Sequence, residues 1–133
     1  MNDYIGLVVS APIAVVFIIM GLPLIYRKIK RNYFFGYRVS TYAMVDDDIW
    51  YEVNRLGGKF LVTIGCLLAV TSIFAAIFIY QPQAQDIILY FDLAIMFIGI
   101  PWSVIRGRLL NNQLARDKGL KNHVHHKDVY RLQ

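Results

Sequence analysis

The sequence predicts an all-α integral membrane protein with three transmembrane helices and a short amphipathic helix at the membrane surface, in the first cytoplasmic loop. Three observations carry this reading. First, the 133 residues are 57% hydrophobic and only 17% charged, against roughly 45–50% and about 25% in soluble domains, and mean hydropathy is +0.46. Second, the charges leave three long gaps. Third, all fourteen Lys and Arg residues fall in two segments that an odd number of spans would place on one side. The length suits one domain, taken as a single membrane domain over 1–133. The composition excludes a disordered chain.

The first gap is Tyr4 to Tyr26, the second Phe60 to Gln85, and the third Ile87 to Ile105, interrupted once by Asp92. A bilayer core takes about 20 mainly apolar residues per helix. Lipid offers the backbone no hydrogen-bond partner, so each run is expected to be helical. The predicted spans are 5–26, 60–80 and 87–106, with a cytoplasmic loop over 27–59 and a cytoplasmic tail over 107–133. The first span is not read as a signal peptide: Asp3 replaces a basic start, the run is long, and Leu22-Pro23-Leu24-Ile25-Tyr26-Arg27 is no small-residue cleavage site.

Within the spans, Pro12, Pro23 and Pro101 are expected to kink or end helices. Gly65, Ala69, Ser72 and Ala76 form a small-residue stripe, against which a neighbouring span or another subunit can approach closely. Tyr4, Tyr26, Tyr80, Tyr90 and Trp102 sit near span ends, as an aromatic belt would. Cys66, the only cysteine, is expected to act as a small hydrophobe against neighbours or lipid. Asp92 has two readings: a carboxylate near the outer interface, hydrated or bonded to a tyrosine, or a proton or cation site facing the bundle interior.

Orientation follows from the basic residues. Seven lie in Arg27–Lys59 and seven from Arg106 onward, and none lies before Arg27 or in the Gln81–Asp86 turn. The positive-inside rule then puts the N-terminus outside and the C-terminus in the cytoplasm. The net charge of +5 and the pI near 9.4 are assigned to anionic lipid headgroups, with no nucleic-acid partner expected.

In the first loop, Asp46 is the expected N-cap, with Asp47 and Asp48 in the first helical turn. Ile49, Trp50, Val53, Leu56 and Phe60 share one face, which predicts a helix lying on the membrane with Trp50 at headgroup level. Gly57-Gly58 is expected to break or hinge it before the second span. In the tail, Leu109, Leu110 and Leu114 continue a helix to about Asp117, where Gly119 ends it. His123, His125 and His126 lack helical metal-site spacing and stand among basic residues, so neither a metal nor any cofactor is expected.

The loop also carries a pattern: Asn32, then Phe35-Gly36-Tyr37-Arg38, then Trp50, Asn54 and Gly58. This resembles the SdpI-like family of small bacterial membrane proteins, in which an Asn precedes (F/Y)GxR and W-x-x-x-N leads through Gly into a span. The resemblance covers about Asn32 to Phe60 and the arrangement of one span before and two after. Val39 stands where the family commonly has Thr, with Ser40 and Thr41 beside it. The chain is also shorter than the family's named immunity protein, which has further spans. The resemblance implies the bacterial inner membrane and a role in immunity to a secreted toxic peptide, or in signalling its presence. From the residues themselves, Gly36-Tyr37-Arg38 is expected to fold back onto the surface helix, with Arg38 engaging Asp46–Asp48 or the N-terminal region of that helix; the alternative is a loop bound only to lipid headgroups.

No catalytic pattern appears: there is no GxSxG, GxxxxGK or HExxH, and every His lies in one tail segment. The leading expectation is therefore interaction with a peptide, toxin or membrane-protein partner. The alternatives are an accessory subunit of a larger membrane complex and, third, a transport component using Asp92.

Overall fold

Apolar side chains are abundant enough here to face both a neighbouring helix and the surroundings, and the helices use them in that way. The computed structural model of the chain describes residues 5–32, 34–36 and 41–120. These form α1 (Ile5–Ile25), α2 (Tyr42–Val45), α3 (Asp47–Ile77) and α4 (Pro82–Asp117). The described residues contain no strand. Tyr4, Tyr37, Arg38 and the three tail histidines lie outside them, so the fold-back of Arg38 does too.

The long helices α1, α3 and α4 run alternately up and down. Gly21 of α1 meets Gly58 of α3, and Ala14 meets Gly65, an antiparallel register. Ile64 of α3 meets Gly99 of α4, and Gln85 of α4 reaches Ala75, again antiparallel. α1 packs most closely on α3, whereas α1 and α4 touch little.

Two sequence expectations fail, the second only in part. The surface helix is not separate: α3 runs unbroken through Gly57-Gly58 into the apolar stretch. Each glycine costs a helix roughly 1 kcal/mol relative to Ala. Here the missing side chain at Gly58 admits the backbone of Gly21 and the side chain of Leu24, so packing offsets the propensity. Of the two outcomes expected of the prolines, a kink or an end, the second is not seen at Pro12 or Pro101, which lie well within α1 and α4, whereas Pro23 lies two residues before the end of α1. A proline that the sequence reading passed over, Pro82, starts α4 at a position where no amide is needed. The C-terminal end of α4 does follow the sequence, with Asp117 the last helical residue and Gly119 at φ +69°.

The core has two parts. Near the middle of the long helices, Ala14, Ile64 and Leu68 are buried together, with Ile13, Phe17, Ile95 and Met96 against them. At the end where α3 begins and α4 finishes, Ala43, Ile49, Trp50, Val53 and Ala115 form a second cluster, covered by Tyr42, Met44, Leu110 and Leu114. Trp50 is therefore not at headgroup level. It is 0% exposed, because α2 and the last turns of α4 cover the face that the sequence assigned to lipid.

The outward surface of the helices is apolar. α3 and α4 are each long and apolar enough to cross a membrane, and α1 carries a shorter apolar stretch, Val9–Ile25. Only 11% of the most apolar window of α4 is buried, so most of its apolar surface faces away from the other helices. Phe97 is 77% exposed and Ile98 70%. The residues α4 does bury are Gln85, Asp92, Ser103, Gly107, Asn111 and Ala115. A soluble protein rarely leaves a contiguous apolar surface beyond a few hundred Å². This helix turns its polar side inward and its apolar side outward.

Candidate functional site

The cap at the second core is built from the loop upward. Asn32 closes a local turn, with its Oδ1 accepting from the amides of Phe34 (2.9 Å) and Phe35 (2.7 Å) and its Nδ2 donating to the Lys30 carbonyl at 2.8 Å. An Asn side chain is short enough to stand in for backbone in this way. The turn delivers Gly36 at φ +136°, a backbone shape that other residues rarely adopt. A Cβ there would lie 2.6 Å from the Trp50 ring and 2.9 Å from Asn54 Oδ1. Trp50 Nε1–H donates to the Ile29 carbonyl at 3.2 Å, and Asn54 Nδ2 to the Trp50 carbonyl at 2.8 Å. Asn32, Gly36, Trp50 and Asn54 thus form one assembly that clamps the loop onto the start of α3. Gly58, one turn further, belongs to the α1 contact instead.

Ion pairs surround the assembly. Asp46 caps α3 by accepting from the Ile49 amide at 3.0 Å. The Lys118 Nζ reaches Asp46 at 2.8 Å and Asp48 at 2.7 Å, joining the end of α4 to the start of α3. Partial burial pushes the Asp46 carboxyl up. The Lys118 ammonium and the Ile49 and Asp48 amides outweigh this and hold it below the usual carboxylate range. The same two carboxylates, by hydrogen bond and then by charge, raise Lys118 above the usual lysine range. Arg31 pairs with Asp47 at 3.3 Å, and Arg27 pairs with Glu52 while lying 5.9 Å above the Tyr51 ring. The three consecutive aspartates are thus occupied with capping and pairing, and the described residues hold no group of ligands suited to a metal.

Asp92 lies far from this cap. It is 3% exposed and accepts from the Ser10 hydroxyl of α1. Its place is therefore the bundle interior, with serine rather than tyrosine as partner. Its other oxygen, Oδ1, has no hydrogen-bond partner among the described residues, and neither has Oε1 of the buried Gln85. The Gln85 amide closes the end of α3, donating to the carbonyls of Ala75 (2.7 Å) and Phe78 (3.2 Å).

The small-residue stripe divides. Gly65 is buried on α1, where a Cβ would lie 2.9 Å from the Ala14 carbonyl, and Ser72 is buried with its hydroxyl on the Leu68 carbonyl. Ala69 is half-buried and Ala76 is exposed. Sequence reasoning missed Gly21, the partner of Gly58, as well as Ser10 and Lys118. It also missed a readable signal in α4. Small or polar residues at 85, 92, 99, 103, 107, 111 and 115 recur at steps of seven and four, one face of a helix.

Tyr26, Tyr80, Tyr90 and Trp102 are all exposed, Tyr26 and Tyr80 just beyond helix ends but Tyr90 and Trp102 within α4, and Cys66 is exposed on α3. The ten described Lys and Arg residues all belong to the cap end: Arg27, Lys28, Lys30, Arg31, Arg55, Lys59, Arg106, Arg108, Arg116 and Lys118.

No curated protein and no solved structure matches the chain. A family model does, that of the SdpI/YfhL protein family, over residues 28–105. The match begins in the loop that carries Asn32 and Gly36, passes through Trp50, Asn54 and Gly58, and ends within α4. With the loop motif assembled at the start of α3 and more than half of the chain matched, the chain belongs to the SdpI/YfhL protein family.

Proposed function

We infer that the chain is an integral membrane protein of the bacterial inner membrane, with its N-terminus outside and its cap in the cytoplasm. Its work is recognition of a peptide or membrane-protein partner, with protection against a secreted toxic peptide as the leading role. The observation that carries this is the cap. The family's motif residues Asn32, Gly36, Trp50 and Asn54 are spent on holding one shaped, charged surface at the basic end of an apolar bundle. A surface held so firmly, with no group of catalytic residues in the sequence, is suited to binding rather than to turnover.

The test is a challenge of cells lacking the gene with the secreted peptide fraction of their own culture medium. Protection is expected to return with the wild-type chain. It is expected to fail with Asn54→Leu, provided that variant still reaches the membrane in normal amount. Equal survival with and without the gene overturns immunity. Recovery of the chain from gently solubilised membranes at fixed ratio to a large complex would instead establish an accessory subunit.

A further inference from the structure

The cations of the cap fall into two sets. Arg27, Arg31, Arg55 and Lys118 are paired with Glu52 or with the aspartates that open α3. The other six described cations, Lys28, Lys30, Lys59, Arg106, Arg108 and Arg116, have no such ion pair among the described residues, and of these Lys59 and Arg106 stand where the long helices pass from apolar surface to cap. Their heights agree. Ile64 touches Gly99. Lys59 is five residues before that level on α3 and Arg106 seven after it on α4, roughly 7 and 10 Å toward the cap in antiparallel helices.

Between them α3 and α4 leave a crevice of about 170 Å³, lined by Leu56, Arg106, Leu109, Leu110 and Gln113. Lys59 follows Leu56 by three residues and so flanks the same wall. The crevice is thus lined by three leucines, one guanidinium and one amide.

We propose that this crevice is a binding site for the phosphodiester headgroup of an anionic phospholipid, held by Arg106 with Lys59 and Gln113. A guanidinium offers paired donors that match two phosphate oxygens. Basic pockets between spanning helices on the cytoplasmic side are suited to such headgroups. The leucines take the glycerol region, and the chains lie along the exposed face of α4. The site rests on the membrane reading and adds a named lipid chemistry to it.

The test uses the full chain, purified in a zwitterionic detergent and mixed with phosphatidylglycerol, phosphatidylcholine or inorganic phosphate, with bound molecules counted by native mass spectrometry. The wild type is expected to retain phosphatidylglycerol over phosphatidylcholine. Arg106→Gln is expected to weaken that retention about tenfold, as for the loss of one charged hydrogen-bonding group, and Lys59→Gln in the same direction. Lys28→Gln removes the same charge from the loop and is expected to leave retention within about twofold of wild type, a margin small beside tenfold. Helix content by circular dichroism confirms that each variant is folded. Equal losses in Arg106→Gln and Lys28→Gln, or equal retention of both lipids, overturn the site. So does displacement of phosphatidylglycerol by inorganic phosphate, which would make free phosphate the occupant. A chain that stays dispersed without detergent overturns the membrane reading itself, whereas one that needs detergent but shows no lipid preference overturns only the crevice.

Discussion

At Gly36 a single hydrogen atom decides whether the loop can reach α3. The residue sits at φ +136°, and a methyl group there would collide with both the Trp50 ring and Asn54 Oδ1. Neither neighbour can yield freely. Trp50 is fully buried, and Asn54 is held to the Trp50 carbonyl. Gly36→Ala is therefore expected to destabilise the cap by about 2 kcal/mol, from backbone strain and overpacking together. A blue-to-red shift of Trp50 emission would report it, with Trp102→Phe as background because Trp102 is the only other tryptophan. Unchanged emission and stability would mean that the loop does not rest on Trp50. Ser10 and Asp92 pose a different residue-scale question. The Ser10 hydroxyl is the one described partner of the Asp92 carboxyl. Ser10→Ala should cost about 1 kcal/mol, since hydrogen bonds between membrane helices fall in the range of roughly 0.6–1.7 kcal/mol. Asp92→Asn keeps an acceptor for Ser10 and should cost less. The two values, measured by denaturant titration in micelles, are expected to differ in that order.

At the scale of elements, α3 and α4 are each one helix serving two surroundings. Their middle turns expose apolar side chains, and their cap turns bury Trp50, Val53 and Ala115 against one another. The clasp between Lys118, Asp46 and Asp48 ties the end of one to the beginning of the other. Its pH response follows from the direction of each shift. The Asp46 pKa is lower in the folded chain than in the unfolded one, so its contribution is complete above the usual carboxylate range and is lost as pH falls through the lowered folded value. The Lys118 pKa is raised, so its contribution is complete below the usual lysine value and is lost as pH rises through the raised one. Thermal unfolding of the cap is expected to be level across neutral pH and to weaken at both extremes. Lys118→Met should flatten both limbs, and high salt should reduce them because the clasp is partly exposed. A wild-type profile identical to that of Lys118→Met would show that the clasp is incidental.

These elements also show what a sequence can disclose. The three apolar runs, the Asp46 cap and the end of α4 at Asp117 were legible because charge gaps, capping residues and a left-handed glycine are local signals. The separate surface helix was misread because Gly57-Gly58 was weighed by intrinsic propensity, while its outcome depends on Gly21, more than thirty residues away. Trp50 was misplaced for a related reason. An apolar helix face says that something must cover it, and whether lipid or protein does so depends on α2 and the last turns of α4. The folding back of Gly36 onto the start of α3 was legible in the loop motif, but its seat on Trp50 and Asn54 was not, since nothing in their spacing shows that a turn made by Asn32 brings them together.

For the whole molecule, the governing feature is the separation of its charge from its apolar surface. The antiparallel helices bring all ten described cations to one end, whereas the Gln81–Asp86 turn carries none. If that asymmetry orients the chain, the turn should be reachable from outside the cell and the cap should not. Cys66 is the only native cysteine, so Cys66→Ser gives a clean background. In it, Gln83→Cys places a thiol in the first turn of α4, and Gln113→Cys places one in the cap; both positions are exposed. A membrane-impermeant maleimide applied to intact cells is expected to label the first and spare the second, with both labelled after lysis. The reverse pattern would turn the molecule over. A stronger form of the test alters the cause rather than reading the outcome. Lysines introduced at Gln81 and Gln83 place basic charge at the end that now lacks it, in a loop short enough for the positive-inside rule to apply. The expected result is mixed labelling of Gln113→Cys in intact cells, together with a lower yield of inserted chain. Full retention of the original pattern would mean that the apolar lengths of the helices, rather than the fourteen basic residues, fix how the protein sits.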